Sequence, residues 1–535
     1  MFAIYLPAAK AGFVADFTGW LEQEKYHGFL DNLNRTGYQI HSMYQLTQLV
    51  TYILYRLIGT HAWLWYLVFV SLHAANAALA YMIVAGLLQH AGEQRAKLIA
   101  ATGAILFSIS PYISEPVVWE PAYHFLQGLL LSLIVLRCVQ LYITHRMTGY
   151  LGAGLIVYLF SLFSLEVFYL TPVLVLLLAV WYEWTGGKGV LSTLVKWLLI
   201  PQIILAAVRL LLFRLLYGDW VSRIGSGAVA SVHIDSLGKP AKYLFHLLLL
   251  GRFFPNAVRQ QVYAACDSSV GMLIFYGAVI IITVFLIRRF AKLSVTGKAA
   301  SLLFLYVIIS LLLLIPLWFF DAQLVVGDRY IYFASAFFYM LVAVLAFSIR
   351  NIYMRMGLLV MFALANMRYA IQVSRYWGKS ERVTAALLSQ VPANEKKTFI
   401  LLNVPQNMHG VPMIGAEANS EFKLMHDLLL PGKELHNTVY DAQGYNMETP
   451  QDGAHVRVVS DSVVQVTLNQ WGTWWWFEAK GGHGYENSDY RLDLTDPGHW
   501  YRLTLKHPAS QYLLFYQVGD KWKTVDMRIR DRDQE

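Results

Sequence analysis

Long apolar stretches separated by short polar ones fill the chain up to about residue 373, and the pattern changes character at Arg375. A run of about 18 or more apolar residues is long enough to cross a bilayer as a helix. Such runs lie near 62–88, 97–114, 121–143, 149–165, 167–184, 190–217, 269–290, 298–320, 329–349 and 355–373. The opening run, MFAIYLPAAKAG at 1–12, is too short to span and reads as the last turns of a first helix. With that partial segment the pattern predicts about eleven spans. Within 13–61, Tyr44, Leu46, Leu49, Val50, Ile53, Leu54 and Leu57 recur at helical spacing, interleaved with Gln45, Gln48 and Arg56. That spacing predicts an amphipathic helix lying at the membrane interface.

Beyond Arg375 the period shortens. Phe399 to Leu402 reads as a strand ended by Asn403 and Pro405, and HVRVVSDSVVQVTL and YRLTLKHP alternate as strands do. Turns are expected at Gly472, Gly481, Gly482, Gly484 and Gly498. The expected organisation is a transmembrane domain over 1–373 and a small α/β or mostly β domain over 374–535. Trp471, Trp474, Trp475 and Trp476 cluster in that domain. They suit a sheet core or a membrane-interface anchor better than sugar stacking.

Charge orients the spans. Arg95 with Lys97, Arg146, Lys188, the group Arg288, Arg289, Lys292 and Lys298, and the pair Arg350 and Arg355 occupy alternate loops. By the positive-inside rule those loops are cytoplasmic. Segments 13–61, 115–120, the hinge at Glu166, 218–268 and 321–328 then face outward. The chain is expected to be integral to the cytoplasmic (inner) membrane, with 374–535 periplasmic or extracellular.

Composition agrees: 57% of residues are hydrophobic and 14% charged, against about 25% charged in soluble domains. The net charge of +8 reads as cytoplasmic anchoring. No basic run interleaved with aromatics points to nucleic acid. Cys138 lies in an apolar helix and Cys266 in a polar loop, so no disulfide is expected, and no Cys/His cluster suggests zinc. Walker A, GxSxG and HExxH patterns are absent.

The chemistry is expected at outward-facing helix ends, where a charge near the bilayer is costly and marks a functional candidate. Asp16, Glu115, Glu166, Asp328 and Arg329 all fall on that one face. A carboxylate there can take a proton from an attacking hydroxyl. An arginine can hold a phosphate with paired donors. Trp119, His124 and Gln127 lie close to Glu115 in sequence and are candidates to line a cavity. His73 reads as a packing residue, Arg209 and Arg214 as cations that snorkel or meet lipid phosphate, and Arg252 and Arg259 as solvated loop charges by default, or as contacts to a lipid headgroup.

These residues also carry a resemblance to GT-C glycosyltransferases, polytopic enzymes that use polyprenyl-phosphate-linked sugars. YLPAAKAGFVADF resembles the end of their first helix and the start of the first external loop. WYLVFVSLHAANAALAY, with His73 and Asn76, ILFSISPYISEPVVWEPAYHFLQG, with Pro111, Glu115 and Trp119, and GDRYIYFASAFF, with Arg329, Tyr330, Tyr332 and Ser335, follow in order. The blocks are most similar to the O-mannosyltransferase-like branch, which includes the transmembrane O-mannosyltransferases with tetratricopeptide repeats. The resemblance implies an inverting transfer at the outer face. Asp16 would act on the acceptor, Glu115 near donor or acceptor, and Arg329 with Tyr330 on the donor phosphate. Ala15 stands where that branch has a first acid, Leu165 where it has a lysine, Asp328 for a glutamate and Ala334 for a proline. The C-terminal region shows no tetratricopeptide pattern.

The expected partners are a polyprenyl-phosphate sugar donor, a hydroxyl-bearing acceptor and membrane lipid. No cofactor is required by these residues, and a divalent cation held by Asp16 and Glu115 is compatible with them. The rival readings are a transporter or flippase of a lipid-linked glycan, and a membrane scaffold for a sugar-binding C-terminal domain.

Overall fold

The computed structural model describes residues 2–9, 11, 14, 17–26, 28–34, 44–186, 189–218, 220, 234–315, 327–390, 397–414, 426, 430, 435, 437–468, 484–494, 500–528 and 533–534. Among them, eight helices are long and apolar enough to cross a membrane: Ala62–His90, Glu120–His145, Val167–Trp184, Val190–Tyr217, Ser269–Lys292, Val295–Leu312, Asp328–Ser348 and Ile352–Gln390. Ala96–Ser108 and Pro111–Val118 make a ninth crossing if the bent pair counts as one. The chain is a polytopic helical membrane protein with a strand-rich C-terminal domain.

The sequence pattern had pointed to about eleven spans. The difference lies in short or broken elements. The 149–165 run forms only Gly149–Ser161. The opening run forms a four-residue helix, Phe2–Tyr5, and a 3-10 turn, Leu6–Ala8, around Pro7. The 97–114 run breaks at Ser110–Pro111, because a proline disfavours helical geometry in the residue before it.

Inside the membrane unit, Asp328–Ser348 is the most enclosed span, with 78% of its apolar window buried, and Ser269–Lys292 the least, with 6%. Small residues let helices of this unit approach one another closely. A Cβ on Gly103 would come within 2.5 Å of Met340 Sδ, and one on Gly128 within 1.9 Å of the Phe168 ring. The Gln45–Ile58 segment is helical, as its spacing predicts, but the way it faces is informative. Thr47, Gln48 and Thr51 are buried and Ile53 and Leu57 exposed, so its polar stripe faces protein and its apolar stripe faces out. The 218–268 segment contains the helices Lys239–Leu249 and Asn256–Asp267.

A second compact unit comprises Leu6–Tyr26, Ile58–Leu64 and Gln372–Glu535. One of its sheets runs Lys521–Thr524, Tyr512–Val518, Thr398–Leu401, Val439–Asp441, with the last three strands parallel. A second sheet contains the hairpin Ala454–Ser460 and Val463–Leu468, where Val456 faces Val466 and Val458 faces Val464. The inward valines of that hairpin are the alternating positions of the sequence. The third sheet joins Val411–Pro412, Val404–Met408 and Gly444–Met447. Buried Val383 and Leu387, from the end of the Ile352–Gln390 helix, pack in this core, and Trp522 Nε1 donates to Val383 O at 3.0 Å. The tryptophans at 471–476 lie outside the described residues, as do Gly472, Gly481, Gly482 and Gly498.

Gly128→Ala is expected to force Phe168 out of its place and to destabilise the protein by about 1–3 kcal/mol. Phe168→Leu on the same background is expected to recover part of that loss. Thermal midpoints in detergent check both.

Candidate active site

A proline shapes one half of the site. Ser110, before Pro111, is extended (φ −64°, ψ 136°), and its Oγ accepts from Tyr112 N at 3.2 Å as the chain restarts. The new direction, 59° from the Ala96–Ser108 axis, carries Glu115 in the short helix Ser114–Val118. Tyr5 Oη donates to Ser110 O at 2.5 Å, and Tyr112 Oη to His246 O at 2.6 Å. The turn is tied on both sides.

Arg329 comes from the 3-10 turn Asp328–Ile331 that opens the helix Tyr332–Ser348. Its backbone N–H donates to Glu115 Oε2 at 2.9 Å, and its Nη1 donates to the same oxygen at 3.2 Å. The guanidinium carbon lies 5.2 Å from the Trp119 ring centre and 4.7 Å from that of Tyr330. Phe125 meets Tyr330 edge-on at 5.7 Å. The Glu115 side chain is 1% exposed and that of Arg329 20% exposed. A charged pair this deep interacts far more strongly than it would in water. Glu115 Oε1 and Ser114 Oγ are buried with no hydrogen-bond partner among the described residues, and buried polar atoms seldom stay that way without a reason.

A second acid–base pair sits one residue away. Asp328 pairs with Arg252, and both side chains are buried. The helix Lys239–Leu249 ends with Leu250 in the left-handed region at φ 55°, an unusual conformation for a leucine. Gly251 follows, where a Cβ would meet the Phe245 ring at 2.2 Å. This tight corner brings Arg252 inward. Arg259 Nη1 braces the corner by donating to Arg252 O at 2.8 Å and Phe254 O at 3.2 Å. Phe253 stacks on Tyr369 at 4.0 Å. Burial, reinforced by Arg252 and Arg259, lowers His246 to about 3. It is therefore neutral at ordinary pH, and its Nε2 shares a hydrogen bond with Tyr263 Oη at 2.5 Å.

Of the residues singled out from the sequence, the structure brings Glu115, Trp119, Arg329 and Tyr330 together. Asp328 is adjacent but engaged with Arg252. His124 stacks on Tyr44 at 5.4 Å, and Gln127 Oε1 accepts from Thr47 Oγ1 at 2.8 Å, so both turn to the Gln45–Ile58 helix. Asp16 lies outside the described residues. Glu166 opens the 3-10 helix Glu166–Leu170, and its side chain lies outside them too. Two expectations change. Arg252 is an enclosed ion-pair partner, not a solvated loop charge, because the Leu250–Gly251 corner turns it inward. Arg209 is buried, donating from Nη2 to Gln45 Oε1 at 2.8 Å with its guanidinium 4.7 Å from the Phe163 ring, so it does not face lipid. Nothing in the sequence marks Arg252 as Asp328's partner, since the two are far apart in the chain. No group of three or more His, Cys, Asp or Glu among the described residues is arranged to hold a metal ion.

No family model matches the sequence, and no curated protein matches it. Among solved structures, the chain is similar to ArnT from Cupriavidus metallidurans in the apo state, at 12% identity over 81% of this chain and 84% of that one, with a TM-score of 0.32. It is also similar to the same protein bound to undecaprenyl phosphate, at 14% identity over 82% of this chain and 88% of that one, with a TM-score of 0.28. Similarity at this level assigns no family.

Arg252→Met leaves Asp328 buried without its cation and is expected to cost about 3–5 kcal/mol. The double change Arg252→Met with Asp328→Asn is expected to return most of that loss. Thermal unfolding in detergent is the measurement, and an unchanged midpoint in the single variant would count against the pair.

Proposed function

We propose that the chain is a membrane glycosyltransferase of the GT-C type, moving a sugar from a polyprenyl-phosphate-linked donor to a hydroxyl acceptor with inversion. The observation that supports this reading most is the Glu115–Arg329 contact, which joins residues 214 apart in sequence in one buried charged site. The sequence blocks that resemble GT-C enzymes, and more narrowly their O-mannosyltransferase-like branch, supply the same residues.

In this reading the acceptor hydroxyl loses its proton to the Asp16 carboxylate, and its oxygen bonds to the anomeric carbon. The bond from that carbon to the phosphate oxygen breaks, and the electron pair leaves with polyprenyl phosphate. Attack opposite the leaving group inverts the centre. Arg329, flanked by Trp119 and Tyr330, offsets the charge that grows on the departing phosphate. Glu115 holds Arg329 with one oxygen and offers the other to a hydroxyl. A lipid-linked donor suits a site built at helix ends of a membrane bundle. The active face is extracytoplasmic, in a cytoplasmic membrane, and the C-terminal domain lies on the same side, as the loop charges support.

Purified protein with a labelled polyprenyl-phosphate sugar tests this. Transfer or donor hydrolysis is expected from the wild type. Arg329→Ala is expected to lower the rate by about 10²–10³-fold, the scale seen when one preorganised donor is removed, and Asp16→Ala to abolish it. Lipid movement across vesicles without bond cleavage would instead indicate a flippase.

A further inference from the structure

Deep in the membrane unit a single hydroxyl gathers polar side chains that the ion pairs do not use. Tyr332 Oη accepts from Asn76 Nδ2 at 3.0 Å and lies 2.8 Å from His73 Nδ1. All three residues are fully buried. Asn76 Nδ2 also donates to Leu126 O at 3.0 Å. The His73 ring meets Phe107 edge-on at 4.7 Å. The hydroxyl therefore bridges the Asn76 amide and the His73 ring, sharing one hydrogen bond with each.

The knot joins four helices, and each leads to the site. His73 and Asn76, a turn apart, share one face of Ala62–His90. Leu126 belongs to Tyr123–His145, beside the Phe125 that supports Tyr330. Phe107 is in the last turn before the Pro111 bend that carries Glu115. Tyr332 is the first residue of its helix, one turn beyond Arg329. A phenylalanine would fill the space at Tyr332, so the hydroxyl contributes direction more than volume. It fixes how the Tyr332–Ser348 helix is rotated where the Arg329 N–H emerges.

We propose that Tyr332, held by His73 and Asn76, is the positioning residue that sets Arg329 against Glu115. The proposal rests on the glycosyltransferase reading for its kinetic consequence but not for its structural one. A backbone N–H must point correctly to reach Glu115 Oε2, and a shift of about 1 Å in a reacting group can cost on the order of 10²-fold in rate.

Tyr332→Phe removes one oxygen and keeps the packing. In the transfer assay it is expected to lower kcat by about tenfold or more, with the KM for donor little changed. On an Arg329→Ala background the same change is expected to have no further effect, because there is no guanidinium left to position. Equal fractional losses on both backgrounds would overturn the proposal. A second arm needs no substrate: the shifts in thermal midpoint of Tyr332→Phe and Glu115→Gln should be non-additive, and simple additivity would overturn it. If the wild type transfers no sugar, the glycosyltransferase reading falls, and the midpoints alone decide the positioning claim.

Discussion

The membrane unit is organised around one carboxylate oxygen. Glu115 Oε2 takes both the backbone N–H and the guanidinium of Arg329, and the pair is mostly shut off from water. An isolated charge in that position would be too costly to keep, so each partner requires the other. For them to meet, the Ala96–Ser108 helix must stop at Pro111 and the Tyr332–Ser348 helix must begin with a 3-10 turn. Both irregularities occur. The second pair, Asp328 with Arg252, holds the same turn from the Lys239–Leu249 side. Two adjacent residues of opposite charge are thereby paired outward to different elements and not to each other.

That arrangement shows which parts of the molecule could be read in advance. Hydropathy located the long spans because bilayer thickness sets a length threshold, and alternating valines marked HVRVVSDSVVQVTL as strand because a strand has period two; their pairing as a hairpin comes from the structure. The charged candidates were legible one at a time, since a carboxylate or guanidinium at a helix end is costly and stands out. Their pairing was not. Asp328 next to Arg329 looks like a local pair, and only the corner at Leu250 and Gly251 reveals Arg252 as its partner. The inward polar stripe of Gln45–Ile58 was equally hidden. Helical spacing shows that a segment has two faces, but not which of them meets protein when lipid is the alternative solvent. Apolar length alone does not register a proline bend or a helix of 13 residues, which is why the count among the described residues differs from that of the apolar runs.

The polar residues inside the spans follow a consistent economy. His73 and Asn76 meet at the Tyr332 hydroxyl, Ser132 and Thr171 hydrogen-bond at 2.9 Å, and Tyr339 Oη donates to Asn366 Oδ1 at 2.7 Å. With lipid outside, apolar burial does little to distinguish one rotation of a helix from another. Directional contacts do so, and two of those named here fall on the helix that Arg329 leads into.

The two oxygens of Glu115 also sort what the site can accept. Oε2 is committed to Arg329, while Oε1 is buried without a hydrogen-bond partner among the described residues. An ionised carboxylate oxygen only accepts, so a ligand group beside it must be a donor, and a hydroxyl meets that need. A phosphate at the same spot would face like charge. In the proposed reaction the anionic end of the donor must then reach Arg329 on the side away from Glu115, where Trp119 and Tyr330 flank the guanidinium. The hydroxyl-bearing end must lie toward Oε1. In that proposed reaction one ion pair would give a direction to a donor that is negative at one end and rich in hydroxyls at the other.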